Sequence, residues 1–138
     1  EAERIFLDSG RDAEAAGDRL NAALAGFYLA IARLYLAEGD GVASAKAELV
    51  KAAKSAADVA DGDLQMRQYV LTTATRMLFM QSFDHADALP LAESAFQAFK
   101  ARQSAMGGYD AGQEAARRDQ RSFLDIYIGA NFAAAKAK

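Results

Sequence analysis

The stretch LNAALAGFYLAIARLYLAEGDG, residues 20–41, decides the fold class of this chain. Its apolar residues recur every three or four positions, which is the period of an α-helix. The stripe that results consists of Leu20, Leu24, Phe27, Ile31 and Leu34. Further apolar residues cover the other faces, and the Gly39-Asp40-Gly41 turn ends the helix and caps the next one. The stretch therefore predicts a central helix over residues 18–38.

The remaining sequence continues in helical segments of similar length. Gly, Asp and the single Pro separate predicted helices at 42–60, 64–83, about 90–106 and about 112–134. Residues 1–17 form a polar segment, a turn or helix that Gly10 interrupts. No segment alternates apolar and polar residues for the length of a strand. We expect an all-α, single-domain, antiparallel array of about five helices, with two helical hairpins over 18–106 and a C-terminal helix within 111–138.

Composition excludes several classes of function. The chain has 138 residues, 34 of them Ala, with one His and no Cys, so thiolate metal sites, His-rich metal sites and cysteine nucleophiles are ruled out. A net charge of −3 argues against nucleic-acid binding. Residues 20–37 reach the minimum length of a membrane span, but Arg33 within them favours burial in a helical array. The absence of Cys fits a cytoplasm or a bacterial periplasm equally well.

The residues that could carry catalysis have simpler structural explanations. His85 lies beside Asp84 and Asp87 at a helix junction, whereas a catalytic triad needs groups that converge from separate elements. Met66, Met77 and Met80 have the helical spacing of core residues rather than of a haem pocket. We therefore predict no catalytic residue, no metal site and no cofactor, and a chain that is not an enzyme.

Two arginines are the most informative polar residues, because Arg33 and Arg76 each lie inside an apolar helix. One hypothesis is an anion pocket between the two central helices, with Tyr35, Tyr69 and Thr72 among the neighbouring donors. The competing hypothesis is structural: each arginine reaches the edge of its helix or pairs with an acid such as Glu38, Glu48, Asp84 or Glu93. We expect the structural outcome for at least one of the two.

An offset of 43 residues aligns Arg33 with Arg76, Ala45 with Ala88 and Ala52 with Ala95. The small-residue spacing of these second helices, together with the segment LYLAEGD at 34–40, resembles the tetratricopeptide repeat family. That resemblance implies stacked helical hairpins that bind a peptide or a partner protein.

A second resemblance rests on Arg33 followed by Ala45-Lys46-Ala47-Glu48-Leu49, which is similar to four-helix bacterial chemoreceptor sensor domains. It implies an extracytoplasmic bundle that senses a small anionic ligand. The family's further ligand-binding arginines correspond to Leu24 and Leu29 in this chain, so that site is not carried over.

For function, we expect a non-catalytic protein–protein interaction or scaffolding module, with the sensor domain as the alternative. Two largely apolar central helices need cover on every side, and few amphipathic helices are available to provide it. We predict that an apolar face on the last helix, with Phe123, Tyr127 and Phe132, meets a second copy or another protein. Nucleic acid is not an expected partner, and membrane contact would come only through sequence outside this chain.

Overall fold

The computed structural model describes residues 1–81 and 88–106 and, nearer the C-terminus, residues 121, 124, 125, 127–129, 131, 132, 135 and 136. Helices α1 to α5 occupy Ala2–Ala15, Arg19–Leu36, Gly41–Val59, Leu64–Gln81 and Leu89–Met106. The described residues from 121 onward are also helical and are called the C-terminal helix here. Within these described residues no strand occurs, and the predicted all-α fold is confirmed.

Two aspartates cap helices with their side chains, whereas Asp40 in the predicted capping turn makes no side-chain hydrogen bond to α3. Gly17 adopts a φ of +72° after α1, a conformation that favours glycine. Asp18 then caps α2, because the backbone N–H of Asn21 donates to its Oδ1 at 3.0 Å. Asp63 caps α4 in the same way, accepting from the N–H of Met66 at 2.9 Å. Short polar turns therefore separate successive helices.

Helix α1 corrects one expectation, because Gly10 does not interrupt it. Glycine within a helix costs about 1 kcal/mol relative to alanine. The helix nevertheless continues, since one of its faces packs along α2: Phe6 stacks on Tyr28 with ring centroids 5.7 Å apart, and a Cβ at Gly10 would lie 3.5 Å from that of Ala25. Tertiary packing outweighs the local propensity.

The chain divides into two compact units, Glu1–Val70 and Leu71–Lys138, with the boundary inside α4. The single-domain organisation stays a prediction. In the first unit α2 packs against both α1 and α3, as its predicted central position requires. The pairs Glu3–Arg33 and Phe6–Tyr28 show that α1 runs antiparallel to α2.

The core of the first unit is built mainly from alanine, which lets the helices approach closely. Phe27, Leu34 and Leu49 are its largest fully buried side chains. The alanines around them are Ala25, Ala30, Ala45, Ala53, Ala56, Ala57 and Ala60. On α3, Ala45 is buried, whereas Ala52, the other residue that the 43-residue offset aligns there, is only half-buried.

The second unit combines the end of α4 with α5 and the C-terminal helix. Leu71, Ala74, Leu78, Leu91 and Phe99 belong to its buried core. Thr75 is fully buried as well, and its hydroxyl donates to the carbonyl of Leu71 at 2.8 Å. This intrahelical bond satisfies the polar group.

The apolar residues near the ends of α2 and α4 are more exposed than expected. Tyr35 and Leu36 in the last turn of α2 are exposed, and so is Met80 near the end of α4, which corrects its assignment to the core. None of the helices in the described part of the chain has the length and apolar character needed to cross a membrane.

Candidate interaction surfaces

The Arg33 side chain joins three helices of the first unit. Its Nε donates to Oε1 of Glu3 on α1 at 2.9 Å, and one terminal nitrogen donates to Oε1 of Glu48 on α3 at 2.6 Å. The two hydrogen bonds raise the pKa of Arg33 above its usual value, with Glu3 the larger cause. The guanidinium therefore acts as a clamp across α1, α2 and α3.

The pairing with Glu48 confirms the structural hypothesis for Arg33. Arg33 also reaches the edge of its helix, the other outcome that this hypothesis names, since 38% of its side chain and 43% of each carboxylate partner are exposed. Arg33 lies at the rim where three helices meet, so water reaches all three charged groups. Two carboxylates on one guanidinium leave a net negative charge, which disfavours binding of a further anion there.

Sequence reasoning missed Glu3, because residues 1–17 had been assigned only as a polar segment. The signal was present in the spacing of Glu3, Phe6, Gly10 and Ala13, which share one face of a helix. The structure places all four half-buried on the side of α1 that faces α2.

Tyr69, a predicted ligand-binding residue, contacts another tyrosine instead. Its hydroxyl lies 3.2 Å from the hydroxyl of Tyr28. This hydrogen bond, with partial burial, raises the pKa of Tyr28 to about 12. The ring of Tyr28 also contacts Phe6 and Phe27, so the tyrosine pair extends an aromatic cluster of the first unit.

The other predicted ligand-binding residues lie in different surroundings. Tyr35 is exposed at the end of α2, and Arg76 is exposed on α4, where it has an interaction partner. The Thr72 hydroxyl is buried without a hydrogen-bond partner among the described residues. Arg33 belongs to the first unit and Arg76 to the second, and a pocket shared by the two arginines stays a prediction.

An open groove of about 470 Å³ lies on the first unit, where the end of α1 meets α2 and α3. Most of its lining is small: Ala22, Ala23, Gly26, Ala52 and Ser55, with Val59 beside them. Glu14 and Arg19 add one charge of each sign. A groove of this kind accepts an apolar side chain or an edge of another helix.

Tyr127 packs the C-terminal helix against α5. Tyr127 stacks on Phe96 with ring centroids 5.0 Å apart, and its hydroxyl donates to Oε2 of Glu93 at 2.5 Å. The hydrogen bond from Tyr127, helped by one from Gln97, lowers the pKa of Glu93. A close approach at Gly129 adds to this packing, because a Cβ there would lie 3.0 Å from the Phe79 ring.

The opposite face of the C-terminal helix carries an exposed apolar stripe. It consists of Leu124, Ile128 and Phe132, which are 37%, 63% and 62% exposed. We call these three residues the C-terminal stripe. The residues lie four positions apart, the spacing at which helical side chains are neighbours on one face.

The stripe refines the prediction for the last helix. Phe132 is exposed as expected, whereas Tyr127 packs against α5 and was wrongly assigned to the open face. Leu124 and Ile128, the other two residues of the C-terminal stripe, were not identified from the sequence. Phe123 lies outside the described residues, as do His85 and its neighbours Asp84 and Asp87.

Comparison with known proteins adds no relative. The chain matches no protein-family model, no curated protein sequence and no solved structure. The resemblances to tetratricopeptide repeats and to chemoreceptor sensor domains therefore stay predictions. Function has to be inferred from the residues of the chain itself.

Proposed function

We propose that this chain is a non-catalytic helical protein–protein interaction module that binds its partner through the C-terminal helix. The observation that carries this proposal is the C-terminal stripe. Single exposed apolar residues are common on protein surfaces and need no explanation. Three large ones that recur every four residues in helical conformation are typical of an interaction site.

The way the C-terminal helix is attached supports this role. Tyr127 and Gly129 face α5 and α4, so the helix already has an inner side packed within the second unit. Its outer side would be expected to be polar in an isolated globular unit. Instead Ile128 and Phe132 are the most exposed of its described large apolar residues. Covering them would release water from apolar surface, which favours association.

The double pairing of Arg33 weighs against the alternative of an anion sensor. A carboxylate ligand at Arg33 would have to displace Glu3 or Glu48 from short, charge-assisted hydrogen bonds. Nothing in such an exchange favours the ligand over the residue it replaces. The composition also supports a non-catalytic role, because the chain has one His and no Cys.

A photoreactive amino acid at position 128 tests the proposal. We expect ultraviolet light to cross-link this chain, expressed in cells, to a defined protein or to a second copy of itself. Phe132→Asp should abolish the product while leaving the circular dichroism spectrum unchanged. The matched control carries the photoreactive group at Gln103, an exposed position on α5. Equal cross-linking yields at positions 128 and 103 would refute the proposal.

A further inference from the structure

Helix α1 is attached to the first unit by little buried surface. Over the described range 2–15 no residue is buried, whereas α2 has four buried residues and α3 has five. Ile5 and Leu7 are 56% and 40% exposed, so α1 leaves part of its own apolar surface in water. Its attachment therefore depends on the few half-buried residues that face α2.

The ion pair near the start of α1 can open without disturbing the helices that remain. Glu3 is 43% exposed, so water solvates its carboxylate when α1 leaves. Arg33 keeps its hydrogen bond to Glu48 at 2.6 Å, because that bond joins α2 to α3 and does not involve α1. Detachment of α1 therefore strands no buried charge.

The aromatic stack between α1 and α2 can separate in the same way. Phe6 stacks on Tyr28 with ring centroids 5.7 Å apart. Tyr28 also contacts the ring of Phe27 and shares a hydrogen bond with Tyr69, and both of these residues lie outside α1. The loss of Phe6 therefore leaves Tyr28 held by its other partners.

The junction between α1 and α2 allows α1 to move. Gly17 has a φ of +72°, and glycine changes backbone conformation more easily than other residues. Asp18, which caps α2, follows Gly17, so the start of α2 keeps its cap when α1 leaves. A segment of 14 residues that contains Gly10 is at best marginally helical in water by itself. Helix formation and docking on α2 are therefore one event for α1.

We propose that α1 is a detachable cover on α2. It unfolds away from α2 about Gly17 and returns as one unit, while α2 and α3 remain folded. The docked cover occludes the side of α2 that carries Ala25, Tyr28 and Arg33, so its opening regulates access to that side. Since the exposed Glu3–Arg33 pair weakens as salt is added, ionic strength shifts the cover toward the open state. This device involves only the first unit and does not depend on the C-terminal stripe.

Hydrogen–deuterium exchange of the full chain, followed by mass spectrometry, measures the opening. We expect the hydrogen-bonded amides of α1 to exchange about tenfold faster, or more, than those of α2 and α3. Glu3→Gln should speed the exchange of α1 by about 1.4- to 5-fold, as expected for one exposed ion pair. Salt at about 1 M should have a similar effect on the native chain and little effect on Glu3→Gln. Asp61→Asn, which removes the exposed pair with Arg67, is the matched control and should leave α1 unchanged.

A disulfide lock distinguishes detachment from fraying of the helix in place. A Cβ at Gly10 would lie 3.5 Å from the Cβ of Ala25, at the close end of the range found in disulfides. Because the chain has no Cys of its own, Gly10→Cys combined with Ala25→Cys should form one intrachain disulfide between α1 and α2. Oxidation should slow the exchange of residues 9–15 to the rate of α2. Reduction of the same protein should restore the fast exchange, which makes the reduced form the control for the two substitutions.

Three results would count against the cover. Exchange of α1 at the same rate as α2 and α3 in the native chain would show that α1 leaves only when the whole unit unfolds, and it would overturn the proposal. Equally fast exchange of residues 9–15 in the oxidised and reduced forms would overturn it too, because α1 would then fray while attached to α2. An unchanged rate in Glu3→Gln would refute control of the cover by the ion pair.

Discussion

Replacing Arg33 with methionine gives the most direct measure of the three-helix clamp. Methionine has nearly the same length and helix propensity as arginine, so the change removes the charge with little effect on α2 itself. Glu3 and Glu48 then lose their common partner. We expect the free energy of unfolding to fall by about 0.4–2 kcal/mol.

That magnitude follows from the exposure of the three groups. Each exposed ion pair contributes about 0.2–1 kcal/mol, and Arg33 forms two, at 2.9 and 2.6 Å. Fully buried pairs cost about 3–5 kcal/mol when one partner is removed. Because 43% of each carboxylate is exposed, water solvates the stranded acids, and the smaller range applies.

Urea denaturation followed by circular dichroism measures the effect, and double-mutant cycles with Glu3→Gln and Glu48→Gln separate the two pairs. Both coupling energies should be favourable and should shrink when the ionic strength is raised to about 1 M. Arg67→Met is the matched control, since Arg67 pairs with the single, largely exposed Asp61. Its loss should destabilise the chain less.

Two results would refute this reasoning about Arg33. A coupling energy near zero for both pairs would mean that the clamp contributes nothing to stability. A rise in melting temperature with small carboxylates, seen in the native chain but lost in Arg33→Met, would assign Arg33 to a ligand site instead.

Three further predictions follow from other contacts. Tyr69→Phe should lower the pKa of Tyr28 from about 12 toward its ordinary 10.0, measured by ultraviolet titration of tyrosinate. Because that pKa is raised in the folded state, the stabilisation is complete below pH 10 and is lost between about pH 10 and 12, so the variant should be less stable than the native chain below pH 10 and should match it above about pH 12. An unchanged pKa would contradict the hydrogen bond. Gly26→Ala should raise stability by up to about 1 kcal/mol, since an added Cβ meets no atom within 4 Å, and a loss of stability in denaturation would show that the position is constrained. Asp18→Ala should lower the melting temperature more than Asp40→Ala, because Asp18 caps α2 with its side chain and Asp40 makes no such bond; equal effects would exclude a capping role.

Much of the fold could be predicted from local sequence. The positions of α2 to α5 follow from apolar periodicity and from the Gly, Asp and Pro residues that separate the helices. These signals act within a few residues, so the sequence alone reveals them. Helix α1 was predicted less well from the sequence. Gly10 lowers its local helix propensity, and packing against α2 is what stabilises the helix.

The contacts of Arg33 and the exposed side of the C-terminal helix could be identified only from the tertiary structure. The sequence by itself determined that Arg33 needed a partner and that the last helix carried apolar residues on more than one side. It could not determine that Glu3, thirty residues away, completes the clamp, since that depends on how α1 lies along α2. Nor could it determine which side of the C-terminal helix is covered, and the packing of Tyr127 on Phe96 is what leaves Ile128 exposed. Periodicity describes faces of a helix relative to one another, whereas burial depends on which neighbour occupies each face.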